Sequence, residues 1–234
     1  MAETEFQRAR STDAKQVREQ AILDAAARLG ARAGIRTVTL TEIATEVGMH
    51  KSALLRYFET REQIFLRLTA AGWRDWGSEL VQSLRELTHA SPATVAGVMA
   101  DTLVARPMFC DLLAQAPLNL ERNVSLESVR EFKLVTLGEV AAIGSELTRL
   151  LGLDEQQRVD VIATATSMAG ALWQMATPGP DVEALYRTDP ELGHAIVEVG
   201  PRLARVLTAL LEGLGARLGA TGRSSRRRPA GSYR

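Results

Sequence analysis

Residues 39–58 limit the fold of this chain more than any other stretch. Thr39 and Glu42 form a T-x-x-E capping box in which each residue satisfies a free N–H of the other's backbone. It opens a helix with Leu40, Ile43, Ala44 and Val47 on one face, and Gly48 ends it. A second helix is expected over 49–58, which leaves only a tight turn between two helices of under three turns each. Such a pair cannot lie flat and must cross steeply. On the second helix Leu54 and Phe58 point one way, while Ser52, Ala53 and Arg56 point the other and Tyr57 takes the flank. His50 and Lys51 stand at its N-terminus, where free N–H groups and the helix dipole favour an anion. Thr60 and Gln63 cap the next helix. Arg61 occupies that helix's first turn, a place the dipole disfavours for a cation and that a nearby phosphate would explain.

The rest of the chain repeats this helical grammar. Apolar residues recur at spacings of three and four, aromatics make up only 5% of the chain, and Ala and Leu are frequent, so the fold class is all-α. An amphipathic helix is expected over 13–33, with Val17, Ile22, Ala25, Ala26, Leu29 and Ala33 inward and Gly34 as its stop. A long helix follows from Arg61 to about Leu87. Further helices are expected over 92–104, 107–115, 125–151 and 154–176. The sequence TPGP at 177–180 breaks the last of these, and a final long segment over 190–216 is expected to kink near Pro201. Residues 1–12 carry no apolar pattern and read as a disordered arm. The Gly-, Ser- and Arg-rich residues 217–234 read as a disordered basic tail, a solvated end in the first reading and a source of nonspecific attraction to phosphate in the alternative one. The domains are therefore 13–76 and 77–216.

Charge and cysteine content narrow the chemistry. The net charge of zero hides +1 over residues 1–60, −7 over 61–216 and +6 over 217–234; a locally basic face beside an acidic body is compatible with nucleic acid. The single cysteine, Cys110, excludes an intramolecular disulfide and a Cys-based zinc site and reads as a small core residue. No apolar run is long enough to span a membrane and no secretory h-region opens the chain, so a cytoplasmic protein without membrane partners is expected. His50, His89 and His194 are isolated, and no Ser/Cys–His pair or glycine-rich phosphate loop is present. An enzyme, a metal site and a cofactor are accordingly not expected.

Residues 22–58, with ILDAAARL, Gly34, the T-x-T-L-x-E-I-A run at 37–44, the V-G-M turn and K-x-x-L-x-R-Y-F at 51–58, resemble the DNA-binding domain of the tetracycline-repressor (TetR) family. The resemblance covers about residues 16–76. It implies a helix-turn-helix that places its second helix in the major groove, a homodimer on a double-stranded DNA operator with two-fold symmetry, and a larger C-terminal domain for a small-molecule effector. Carried over by position, it implies a DNA-binding set of Thr39, Thr41, His50, Lys51, Ser52, Ala53, Arg56, Tyr57 and Arg61. Thr39, Lys51, Tyr57 and Arg61 match phosphate-contacting positions, and Ser52, Ala53 and Arg56 match the groove-facing surface. Three residues depart from the family pattern: Gly30 stands for a bulky core aromatic, His50 for a small hydroxyl residue, and Leu55 for a tyrosine.

For the effector, the candidate lining residues are Trp73, Trp76, Met99, Met108, Phe109, Asn119, Asn123, Phe132, Trp173 and Met175. Each is weighed against ordinary core packing; together they suggest an apolar cavity for a hydrophobic or aromatic ligand. Dimerisation is expected through 154–176 and 190–216 packed as a four-helix bundle, with Ala163, Ala165, Ser167, Ala169 and Gly170 allowing close approach. A repressor released from its operator by the effector is the leading reading. The alternatives are an activating or ligand-independent DNA-binding regulator, and a small-molecule-binding protein with weakened DNA recognition.

Overall fold

The computed structural model describes residues 2–224, and these form helices and turns without a strand. The helices are α1 (Ala2–Ala33), α2 (Leu40–Glu46), α3 (Lys51–Leu54), α4 (Arg61–Arg85), α5 (Pro92–Val104), α6 (Pro107–Gln115), α7 (Leu126–Leu151), α8 (Glu155–Ala176), α9 (Pro180–Thr188) and α10 (Val199–Ser224). A π-helical turn spans Ala116–Leu120 and a 3-10 turn spans Pro190–Ala195. The chain divides into two compact units. One contains residues up to Trp76 together with Arg106–Gly138; the other contains Gly77–Ala105 and the residues from Glu139 onward.

The first unit is built on α1, whose Ile22, Ala25 and Ala26 are fully buried. Ile35 and Val38 of the following linker, Ile43 and Ala44 of α2, Leu54 and Phe58 around α3, and Ile64 and Phe65 of α4 complete this core. Gly30, where a bulky aromatic is usual in the family, is buried too, and the space is filled by Ile35 and the ring of Phe65. Farther along α4, Trp73 packs edge-on against Trp76, with ring centroids 5.5 Å apart, and against Phe109 of α6 at 5.8 Å. Cys110 beside them is fully buried; desolvation, with a smaller push from the charge of Asp111, raises its thiol to about 11. In the second unit α5 packs against α8 and α10 over Met99, Leu103, Ile162, Ala165, Leu203 and Leu207, all buried. The buried Glu146 of α7 accepts from Arg85 at 3.0 Å and Arg149 at 2.6 Å. Arg149 also donates to the carbonyls of Leu84 and Leu87 at the end of α4, acceptors that a helix C-terminus leaves unsatisfied.

Several expectations are corrected. Residues 2–12 continue α1 instead of forming a disordered arm; the stretch holds Ala, Glu, Gln and Arg and neither Gly nor Pro, so the backbone propagates without an apolar stripe. Val17, expected inward, is 71% exposed. At the other end α10 runs to Ser224, past the expected tail boundary at 217, because extending a formed helix fixes one residue per added hydrogen bond; residues 226–228 of the basic run lie outside the described residues. The final segment is not one kinked helix. Pro201 sits in the first turn of α10, where a missing N–H costs no hydrogen bond, and the break falls before Val199. Helix α9 was not foreseen, although Gly179, Pro180 and the first-turn acids Asp181 and Glu183 form a helix start.

Two glycines of the first unit predict opposite outcomes for the same substitution. A methyl at Gly30 meets Ile35 and Phe65 at 3.5 and 3.6 Å, ordinary contact distances, so Gly30→Ala is expected to stabilise by roughly 0.5–1 kcal/mol. Gly48 has φ of +66°, so Gly48→Ala is expected to destabilise by roughly 1–2 kcal/mol. Thermal unfolding checks both: at about 2–4 °C per kcal/mol the midpoints should move apart on either side of wild type.

Candidate nucleic-acid interface

Helix α2 starts where the sequence places it. Glu42 N–H donates to the Thr39 hydroxyl at 3.2 Å, and Thr39 N–H donates to the Glu42 carboxylate at 2.7 Å. That backbone N–H, then the Thr39 hydroxyl, holds the Glu42 carboxyl below its ordinary range. At the far end Gly48 N–H donates to Thr45 and Met49 N–H to Ala44, which reverses the chain within two residues. His50 is then the extended N-cap of α3. Helix α3 itself is shorter than the expected 49–58. After Lys51–Leu54 the chain tightens, with Arg56 N–H donating to Ala53 and Tyr57 N–H to Leu54, so that Leu54 and Phe58 both reach the core at 0% and 4% exposure.

That anchoring decides which side chains face outward. His50, Lys51, Ser52 and Arg56 are exposed, Ala53 and Tyr57 are half-buried, and Thr39 and Thr41 are exposed at the start of α2. Leu55, 45% exposed, stands among them. The face combines two cations, a histidine and hydroxyls on a helix narrow enough for the major groove. Arg28 and Arg32 of α1 lie farther back and pair with Glu46 at 3.4 and 3.3 Å.

Arg61 differs from the other expected contacts. Its side chain is only 19% exposed. It donates to the backbone carbonyls of Ile35 and Val38 and to Glu62, and its guanidinium lies 4.6 Å from the centroid of the Phe65 ring. Carbonyls of the α1–α2 linker therefore explain a cation in this first turn, and no phosphate is needed. The linker is pinned from a second side, since Ile35 N–H donates to the Asp111 carboxylate of α6 at 3.0 Å.

A polar cluster that sequence reasoning missed fixes the exit from the helix pair. Gln63 N–H donates to Thr60, as expected for a cap, but the Gln63 side chain accepts from Glu59 N–H at 2.7 Å. The Glu59 carboxylate accepts from Ser125 N–H at 2.8 Å and from the Ser128 hydroxyl at 3.0 Å. Ser125 N–H is the main reason that this carboxyl is held below its ordinary range. Thr60 donates to the Asn123 carbonyl at 3.1 Å. Asn123, Ser125 and Ser128 lie more than 60 residues from their partners Thr60 and Glu59 in sequence, so no local pattern announces them.

Within neither unit do the candidate ligand-lining residues gather around one cavity. Trp73, Trp76 and Phe109 fill one another's space, and a methyl on Gly72 would strike the Phe109 ring at 2.4 Å. Asn119 and Asn123 border a polar recess of about 240 Å3 with Arg36 and Arg61. Phe132 floors a separate groove. Met108 is half-buried. In the second unit Met99 is fully buried, Trp173 half-buried and Met175 51% exposed. Among the described residues no His, Cys, Asp and Glu group could hold a metal, and no helix is long and apolar enough to cross a membrane.

A buried helix-turn-helix scaffold with an exposed cationic and hydroxyl-bearing second helix defines a DNA-binding transcription regulator. Residues 22–68 match the family described as bacterial regulatory proteins, tetR family, and residues 70–218 match the tetracyclin repressor-like C-terminal domain. The chain belongs to the TetR family of transcriptional regulators. Similar solved structures include Thermus thermophilus FadR in complex with lauroyl-CoA, with 18% identity, a TM-score of 0.52 and coverage of 92% of this chain and 100% of that one. RolR in complex with resorcinol aligns at 16% identity and a TM-score of 0.53 over 94% and 100%. Bacillus subtilis FadR in complex with stearoyl-CoA aligns at 17% identity and a TM-score of 0.51 over 84% and 97%. At these identities the likeness concerns the fold. Comparison with curated protein sequences found no match.

Arg61→Met separates the two accounts of that residue. Loss of charged hydrogen bonds to linker carbonyls is expected to cost about 1.5–3 kcal/mol of stability. The salt dependence of DNA binding should not change. A salt slope lower by about 1 would return a phosphate contact to Arg61.

Proposed function

We propose that this regulator is a homodimeric repressor that occupies a two-fold operator and leaves it when a small molecule binds. The observation that carries the DNA-reading part is the division of α3 and its flanking turn. Leu54 and Phe58 are locked into the core, while His50, Lys51, Ser52 and Arg56 are held outward on a rigid support. Arg56 and Ser52 are assigned to base edges, and Lys51, Thr39, Thr41 and Tyr57 to phosphates; His50 and Ala53 complete the contact surface. Arg61 is left out of this set because its donors are engaged within the protein.

The dimer reading draws on α8. Of the small residues named from sequence, Ala165, Ala169 and Gly170 are buried within their own unit, whereas Ala163 and Ser167 are exposed. The exposed pair continues a row with Val159, Ala171 and Met175 at four-residue spacing, one face of a helix on which a second copy can approach closely. The effector is taken to be hydrophobic or aromatic. Regulators of similar fold have been crystallised with lauroyl-CoA, stearoyl-CoA and resorcinol, which is compatible with that class.

Two substitutions test the reading surface by titration against selected operator and unrelated DNA. Arg56→Ala is expected to cost about 1–3 kcal/mol on the operator and to relax sequence choice. Lys51→Ala should weaken all sequences alike and reduce the salt slope by about 1. Unchanged operator affinity in Arg56→Ala would remove that residue from the reading surface.

A further inference from the structure

The first halves of α4 and α7 enclose a feature that the DNA-reading surface does not use. Between them lies an open groove of about 340 Å3, floored by Leu66, Ala70 and Phe132 and edged by Leu134 and Val135. The floor residues are buried, but Leu134 is 52% exposed, so apolar surface continues onto the lip. Two cations line the α4 side, Arg67 and Arg74. Seven residues of helix set them two turns and roughly 10 Å apart on one face.

The two arginines are not equivalent. Arg67 lies 3.4 Å from the Glu131 carboxylate across the groove and is already paired. Arg74 is exposed, makes no hydrogen bond or ion pair among the described residues, and leaves one unpaired positive charge beside the apolar floor of the groove. The size is within the range of small-molecule sites, which bury an apolar body and fix it by a few polar groups. A neutral apolar molecule would leave Arg74 unused, and a wholly polar anion would desolvate the floor without covering it.

We propose that the α4–α7 groove binds an amphipathic organic anion, its apolar body on Leu66, Ala70 and Phe132 and its anionic group at Arg74. The groove is also lined by Gln63 and Ser128, hydrogen-bonded at 2.9 Å. Ser128 also donates to Glu59, so the occupant abuts the cluster that fixes the exit from the helix-turn-helix. The proposal does not depend on operator binding and is tested without DNA.

Fluorescence titration of the full chain with 8-anilino-1-naphthalenesulfonate is compared with N-phenyl-1-naphthylamine, which has the same rings and no sulfonate. The sulfonate probe is expected to bind saturably, one per chain. Arg74→Gln, at an exposed position, should weaken it about tenfold or more while leaving the neutral probe within about twofold. Leu134→Glu should weaken the sulfonate probe comparably by placing a carboxylate on the exposed lip. Absence of saturable binding, or sulfonate affinity within about twofold of wild type in both variants, overturns the proposal. So does an equal loss of both probes in Arg74→Gln. None of these failures would touch the operator reading.

Discussion

Arg61 joins three parts of the first unit through one guanidinium. It leaves the first turn of α4, donates to the carbonyls of Ile35 and Val38 in the α1–α2 linker, and rests on the ring of Phe65. Linker carbonyls have no ladder or helix to satisfy them, and buried acceptors without partners are costly. Once they are held, Ile35 and Val38 can be buried and Thr39 follows in the extended conformation that an N-cap requires. From there the Thr39–Glu42 box starts α2 and the Gly48 turn leads into α3. Asp111 braces the same linker from α6, and the Glu59–Ser125–Ser128 cluster braces the exit from α3. Helix α3 is thus only four residues of α-helix, closed by local turns and braced by longer-range contacts on both sides.

Sequence reading succeeded where structure is local. The Thr39–Glu42 box, the Gly48 turn, the inward pair Leu54 and Phe58, and the starts of α5 and α8 depend on residues within four positions of each other. Arg61 shows the limit of that reasoning. A cation at a helix N-terminus needs an explanation, but its acceptors lie 23 and 26 residues away in sequence, in a linker without periodic signal. The Glu59 cluster escaped for the same reason. The length of α1 escaped for the opposite one, because helix propensity over residues 2–12 carries no amphipathic pattern to announce it.

The aromatic residues were a harder test, because a ring suits a ligand wall and a packed core equally well. Trp73, Trp76 and Phe109 pack on one another, and the glycine at 72 is what lets Phe109 approach α4. The groove that does open in this unit is lined mainly by small or aliphatic residues and two arginines. Of the expected rings and methionines only Phe132 lies in it.

In the proposed function the outward face of α3 reads DNA sequence in a two-fold assembly. Selection of bound fragments from a random duplex pool tests it most directly. An enriched motif of two inverted half-sites is expected, their centres separated by about one helical turn or a multiple of it. Enrichment of no motif, or of a single half-site without its inverted partner, would contradict it.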